Sequence, residues 1–275
     1  MTDGSIRYLV CTIPRSGSNF LCDLLRRTDQ LGMRECATTG YEHILQLVRS
    51  GFGGVDWSIT TPVALFDAAF IQSATPNGVM GFKVMWNDFR QVLERTGRPR
   101  LWQRQRAEGV ERELASKTRF IWLRRRDAER QAISWTKALQ DRVWTLSDQQ
   151  GFEGRYSYDY LWIATMLRKI RSHDRQWSAF FNRVGIKPLT LYYEDFIGDV
   201  PGTIREIANY LGVAVPLPAE TSNRGSYRQQ SDAVNEEWLA RYQRDGKGTL
   251  RRSLALARCA LAARTWRRLL RPAVF

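Results

Sequence analysis

Histidine is nearly absent from this chain: His43 and His173 are the only two in 275 residues. The four cysteines, at 11, 22, 36 and 259, form no CxxC pair and no cluster with histidine. A metal site therefore lacks its usual ligands, and no disulfide framework is visible. No run reaches the roughly 18 apolar residues of a membrane span. The polar start, Met1 to Arg7, leads into a strand-length apolar segment rather than a signal peptide, so the default expectation is a cytoplasmic protein. Internal repeats and low-complexity blocks are also missing. Acidic residues are absent from 247–275, which hold Lys247 and seven Arg. Of the net charge of +14, this short end carries +8, and the first 246 residues carry the remaining +6 (14 − 8). The expected organisation is one domain over 1–246 and a basic C-terminal tail over 247–275, with anionic partners for the molecule as a whole.

The most informative stretch is Tyr8 to Arg27. An apolar run, Tyr-Leu-Val-Cys-Thr-Ile, stops at Pro14-Arg15-Ser16-Gly17-Ser18-Asn19. It is followed by Phe20, Leu21, Leu24 and Leu25 on one helix face. This predicts strand, tight loop, helix. The loop then lies at a helix N-terminus, where unpaired backbone N–H groups and the helix dipole favour an anion. Arg15, Ser16, Ser18 and Asn19 add donors, and Gly17 permits close approach. A Gly/Ser turn without a ligand is the alternative. The G-x-x-x-x-G-K-[ST] pattern of nucleotide triphosphatases is not met, because no Lys follows the glycine.

Strand and helix signals then alternate. Pro62 opens a helix through Phe70, and Thr75 to Gly78 is a turn. Val79 to Trp86 reads as a buried strand with Asn87 and Asp88 capping the next helix. Ile44 to Val48 suggests a short helix, and Thr96 to Lys117 reads as a polar surface excursion. Phe120 to Leu123 is a strand ending in Arg124-Arg125-Arg126-Asp127, followed by a helix over Ala128 to Gln140. A long helix spans Tyr156 to Arg183, and Ile186 to Tyr193 is the last clear strand, with Glu194-Asp195 at its end. The expected fold class is α/β, with a mainly parallel central sheet flanked by helices. In such folds ligands gather at the carboxyl ends of the strands, which collects Pro14–Asn19, Lys83–Asn87, Arg124–Ser134 and Glu194-Asp195 toward one rim.

At the second junction, an Arg at a strand end and Ser134 about two helical turns on are spaced to close on a phosphate. Both Arg125 and Arg126 fit that spacing. A solvated Arg cluster is the bland alternative. The Arg15-Ser16-Gly17-Ser18 loop resembles the 5′-phosphosulfate loop of sulfotransferases, and Arg125 or Arg126 with Ser134 resembles their 3′-phosphate motif. The chain is similar over roughly residues 7 to 245 to the trehalose 2-sulfotransferase-like family of bacterial sulfotransferases. The likeness lies in Tyr-Leu-Val before the loop, Gly81-Phe-Lys-Val-Met-Trp-Asn87, Gln131-Ala-Ile-Ser-Trp135, Arg142-Val-Trp144, Ser231-Asp232, Glu237-Trp238 and Arg241-Tyr242.

That resemblance implies a P-loop-like sulfotransferase fold. It also implies 3′-phosphoadenosine-5′-phosphosulfate (PAPS) as donor, a carbohydrate or glycolipid hydroxyl as acceptor and no metal. Arg15, Ser16, Gly17, Ser18, Asn19, Arg125, Arg126, Ser134 and Arg228 are the expected donor-binding residues. Glu35 is the expected base, displaced by about one position from the family pattern, with Glu42 and His43 as competitors. Lys83 is read as catalytic support or as a satisfied strand-end charge. Trp86, Asn87, Trp144 and His43 are candidates for the acceptor side, whereas Trp122, Trp162 and Trp177 read as core. The basic tail fits an anionic membrane surface, nucleic acid or no partner, and the first is preferred to the second. A homodimer is left open. The rival functions are a phosphate-loop kinase and a non-enzymatic basic nucleotide- or nucleic-acid-binding module.

Overall fold

A computed structural model of the chain describes residues 5–33, 61–94, 100–141, 156–215 and 233–246. Its described residues fall into two compact units, one from Met1–Arg126 and His173–Arg224, the other from Asp127–Ser172 and Gly225–Phe275.

The first unit contains the sheet. Four strands, β1 (Ile6–Thr12), β2 (Val79–Met85), β3 (Arg119–Arg124) and β4 (Leu189–Tyr192), lie in the order β2-β1-β3-β4. Every pairing is parallel, with Thr12 opposite Met85, Cys11 opposite Trp122 and Arg124 opposite Tyr192. The α/β parallel sheet expected from the alternation is the observed fold. The middle strands are buried on both faces, which explains why they read as continuous apolar runs.

Successive side chains feed opposite faces. Tyr8, Val10, Ile121, Leu123 and Leu191 pack with Leu21, Cys22, Leu24 and Leu25 of helix α1 (Ser18–Arg27). Phe196 of α7 (Tyr193–Gly198) and Ile204, Ile207 and Leu211 of α8 (Val200–Leu211) join the same cluster. The other face is aromatic. Phe82 and Phe120 join Phe66 and Phe70 of α2 (Pro62–Gln72), Phe89 of α3 (Trp86–Glu94), and Trp177, Phe180 and Phe181 of α6 (Tyr160–Val184) in one cluster of stacked, edge and tilted contacts. Each such pair adds about 0.5–1.5 kcal/mol beyond simple burial.

Helix α2 begins as its sequence dictates. Thr61 caps it by accepting from the Ala64 N–H at 3.2 Å, and Pro62 occupies the first helical position. The polar segment of weak helical spacing expected at 96–117 contains a helix. Arg100–Lys117 is an 18-residue helix, α4, with Leu114 buried and Glu111 bonded to Arg183 by two contacts of 2.7 and 2.8 Å. Its apolar periodicity is weak, and among its described side chains, from 108 on, only Glu111 and Leu114 are buried. Two boundaries also move. β2 ends at Met85, so Asn87 and Asp88 belong to the first turn of α3, and β4 is shorter than Ile186–Tyr193 because Tyr193 already starts α7.

The second unit is built on α5 (Ala128–Asp141) and α9 (Ala233–Gly246). The Asp127 carboxylate accepts the Arg130 N–H at 2.9 Å at the start of α5, Arg130 pairs with Glu236, and Gln243 donates to Glu129 at 2.9 Å. Tyr156 and Tyr158 meet the buried Trp238 edge-on, and Tyr160 stacks on Tyr242. No helix of the described residues is long and apolar enough to cross a membrane. The short helix expected at 44–48 and the basic tail lie outside the described residues.

Candidate functional site

β1 has β2 on one side and β3 on the other, so the chain changes direction across it. Ligand crevices of parallel sheets form at such switch points, beyond the carboxyl ends of the strands. The Pro14–Asn19 loop lies there. Its backbone is unusual: Arg15 has φ 66° and Gly17, which caps α1, has φ 82°. Left-handed residues alternating along a tight turn direct N–H groups into a concavity suited to an anion. Helix α1 adds to this polarity, with no acidic residue in its first turn and Arg26 and Arg27 in its last.

The loop is anchored from below. Thr12 Oγ1 contacts Ser16 Oγ at 2.5 Å and the Leu123 carbonyl at 3.1 Å. A threonine hydroxyl has one proton; used toward the carbonyl, it leaves Ser16 as the donor in the Ser16–Thr12 pair. Ser16 is 0% exposed and its hydroxyl is turned to Thr12, so it braces the loop from within. The Thr12 carbonyl in turn accepts from Trp177 Nε1 at 3.1 Å. The end of β1 is thus fixed to β3 and to α6.

Lys83, from the middle of β2, is only 3% exposed and donates to Asn19 Oδ1. An ammonium has no acceptor, so it decides which way the Asn19 amide faces: oxygen toward Lys83, NH₂ away from it. Asp88, in the first turn of α3, is the titratable neighbour. Burial pushes its carboxyl up to about 7, with the Lys83 ammonium pulling the other way. A carboxyl poised near neutrality is a feature of functional clefts and also of structural ion pairs.

The three arginines at the end of β3 separate by partner. Arg124 forks onto Asp174, with Nε 2.9 Å from Oδ1, and stacks over Trp122 at 4.2 Å. Arg126 is half-exposed, pairs with Asp195 through contacts of 2.6 and 2.5 Å, and lies 4.1 Å over the Tyr192 ring. Asp195 holds the Arg126 guanidinium further toward its charged form, and Arg126 holds the Asp195 carboxyl below its usual range. Arg125 alone turns to the loop. Its Nη1 donates to the Arg15 carbonyl at 3.2 Å, its guanidinium sits 4.7 Å over Tyr193, and its Nε is 4.0 Å from Glu194.

The other expected residues fall elsewhere. Ser18 is buried at the start of α1, and Asn87 is exposed in the first turn of α3. Trp86 is 7% exposed, donates to Gln176 at 2.6 Å and meets Trp177 edge-on, which places it in the aromatic core. Ser134 belongs to the second unit, partly buried on α5. Glu35, Glu42, His43, Trp144 and Arg228 lie outside the described residues. Four residues of the site were not singled out as such by sequence reasoning. Thr12 and Trp177 read as strand and core, Asp88 as a cap, and Tyr193 as a strand end. Only the position of Tyr193 beside Glu194 at a strand end carried a signal.

A profile of the family described as Stf0 sulphotransferase matches residues 7–245. The chain is 27% identical over 262 residues to a trehalose 2-sulfotransferase of Mycobacterium tuberculosis (strain Erdman), covering 86% of this chain and 94% of that protein. It is 26% identical over 271 residues to a trehalose 2-sulfotransferase of Mycolicibacterium smegmatis, covering 90% of this chain and 98% of that protein.

Proposed function

We propose that this chain, which belongs to the Stf0 sulphotransferase family, transfers a sulfuryl group from PAPS to a hydroxyl of a carbohydrate or glycolipid, with a trehalose-like sugar as the first candidate. The observation that carries the reading is the loop at the switch point of the sheet, with Arg125 bonded to its Arg15 carbonyl. A donor with phosphates at both ends of its ribose needs two cationic places close together. The loop amides with Arg15 suit the 5′ end, and Arg125 suits the 3′ phosphate. The cradle fits such a group: left-handed Arg15 and Gly17 alternate along the turn at the start of α1, whose first turn holds no acidic residue, and Glu194 beside Arg125 accepts the Arg126 N–H. The donor supplies an activated sulfuryl group attached to a phosphate that leaves.

The chain's own part is to hold that phosphate where negative charge grows. Donors already fixed by the Thr12–Ser16 contact and by Lys83–Asn19 need no rearrangement as charge develops, so they favour the transition state over the ground state. An acceptor hydroxyl is a weak nucleophile at neutral pH and calls for a base. The resemblance implies a glutamate after the first helix; Glu35 is the nearest matching residue, displaced by about one position from the family pattern, with Glu42 and His43 as competitors.

The test is transfer from a radiolabelled donor to trehalose, lipopolysaccharide and total glycolipids, with retention on a bisphosphate-nucleotide resin measured alongside. Labelled sugar product, and release from the resin by 3′,5′-phosphoadenosine but not by ATP or DNA, is the expected result. Release by ATP with phosphorylated product would favour a kinase, and release by DNA alone a nucleic-acid-binding module.

A further inference from the structure

Tyr193 stands between the two anion-binding elements. On one side, a Cβ built on Gly17 would lie 2.5 Å from Tyr193 Cδ2 and 2.8 Å from Cε2, so the loop rests directly on the edge of this ring. On the other side, the Arg125 guanidinium lies 4.7 Å from the ring centre. The ring itself is braced by the α1 and α7 side of the core, against which it packs. Arg125, 14% exposed, is further limited by the Arg15 carbonyl at 3.2 Å and Glu194 at 4.0 Å. An arginine has several rotatable bonds, and an aromatic face is what restricts the plane of its guanidinium while leaving its N–H edge available.

We infer that Tyr193 is a positioning residue whose ring sets the spacing between the Gly17 loop and the Arg125 guanidinium, and so selects a nucleotide phosphorylated at both ends of its ribose over one phosphorylated only at 5′. This deepens the donor reading above and rests on it. The physical reason is that two anion sites discriminate by distance only if both are held rigidly. A mobile Arg125 would attract a second phosphate without fixing where it sits, and part of the binding free energy would be lost to ordering the side chain.

The experiment is titration calorimetry of the full chain with 3′,5′-phosphoadenosine and with adenosine 5′-phosphate. The variants are Tyr193→Phe, Tyr193→Leu, Tyr193→Met, Arg125→Ala and the double variant Tyr193→Leu/Arg125→Ala. Tyr193→Phe keeps both ring contacts and should bind like the parent. Tyr193→Leu should weaken 3′,5′-phosphoadenosine about tenfold, with adenosine 5′-phosphate changed by less than about threefold. Adding Tyr193→Leu to Arg125→Ala should cost nothing more, because the ring then has no guanidinium to orient. Tyr193→Met fills space under the loop without an aromatic face, and its melting temperature shows whether the parent fold is kept. It carries the test if the leucine variant does not fold.

Equal losses for both nucleotides, or additive effects of the two substitutions, would overturn the selecting role and leave Tyr193 as a support for the loop. A parent protein that binds adenosine 5′-phosphate as tightly as 3′,5′-phosphoadenosine, or neither, would overturn the donor reading itself and the inference with it.

Discussion

Arg125 and Arg126 are adjacent and chemically identical, yet the structure gives them different work. Arg126 is half-exposed and committed to Asp195, whereas Arg125 is bonded to the Arg15 carbonyl of the Pro14–Asn19 loop. Arg126→Ala should therefore change donor affinity by less than about twofold, as exposed pairs contribute little. Arg125→Ala should weaken it at least about tenfold, the usual order for a charged hydrogen bond. Equal losses in a direct binding assay would contradict the separation. Asp88 offers a prediction about pH. Its carboxyl protonates near 7 in the folded chain against a reference of 3.8, with burial as the main cause. The folded state thus holds the proton more tightly, so the group favours folding below about pH 4, and that contribution is lost as pH rises through about 7. Asp88→Asn removes the titration. Its melting temperature at pH 8 should exceed the parent's by about 3–8 °C, with the gap closing by pH 4. A constant offset across melts at pH 4, 6 and 8 would show that Asp88 does not titrate in this window.

Among the elements, α4 is the one whose sequence gave least warning and whose attachment is most specific. Glu111 is buried and Arg183 of α6 is 40% exposed in their two-bond pair. Removing the exposed partner leaves a buried carboxylate unsatisfied, while removing the buried one leaves a guanidinium that water can reach. Arg183→Ala should therefore destabilise more than Glu111→Gln, by about 1–3 kcal/mol in denaturant unfolding. The reverse order would mean that α4 is held by its apolar contacts instead. Of the site's own elements, β1, the loop and α1 were legible because period and punctuation are local properties. The loop's Ser16–Thr12–Leu123 anchoring was not, since Leu123 is 111 residues from Thr12.

For the molecule as a whole, charge is the property the fold leaves untouched. The +8 carried by 247–275 lies beyond the 7–245 family match, and an acceptor embedded in an anionic membrane would give it a purpose. Deleting 247–275 should leave binding of 3′,5′-phosphoadenosine within about twofold while reducing association with anionic vesicles at least about tenfold, each basic residue near such a surface contributing about 1 kcal/mol. Attachment of the full chain should also weaken as salt rises, because screening shortens to about 8 Å near physiological ionic strength. Vesicle binding that survives the deletion would remove the tail from the account.

By itself, the sequence determined the parallel α/β fold. Continuous apolar strands, helix-spaced stripes and polar strand ends follow from backbone periods that need no knowledge of the tertiary contacts. It also placed the Pro14–Asn19 loop, since Gly17 and the serines sit at a strand-to-helix boundary. Which arginine faces that loop was decided only by tertiary structure. Arg125 and Arg126 differ by one residue in a run that sequence patterning treats as uniform, and their partners, Tyr193 and Asp195, come from α7, the short helix that follows β4. The same holds for Trp86, which stands in a family-like segment of the sequence but packs against Trp177 in space. Asp88 is a further case, because its proton affinity depends on burial and on Lys83 five residues earlier. The physical reason is common to all three. Periodicity is set by the local chain, whereas desolvation, ring stacking and charge pairing depend on groups that only the folded sheet brings within a few ångströms of one another.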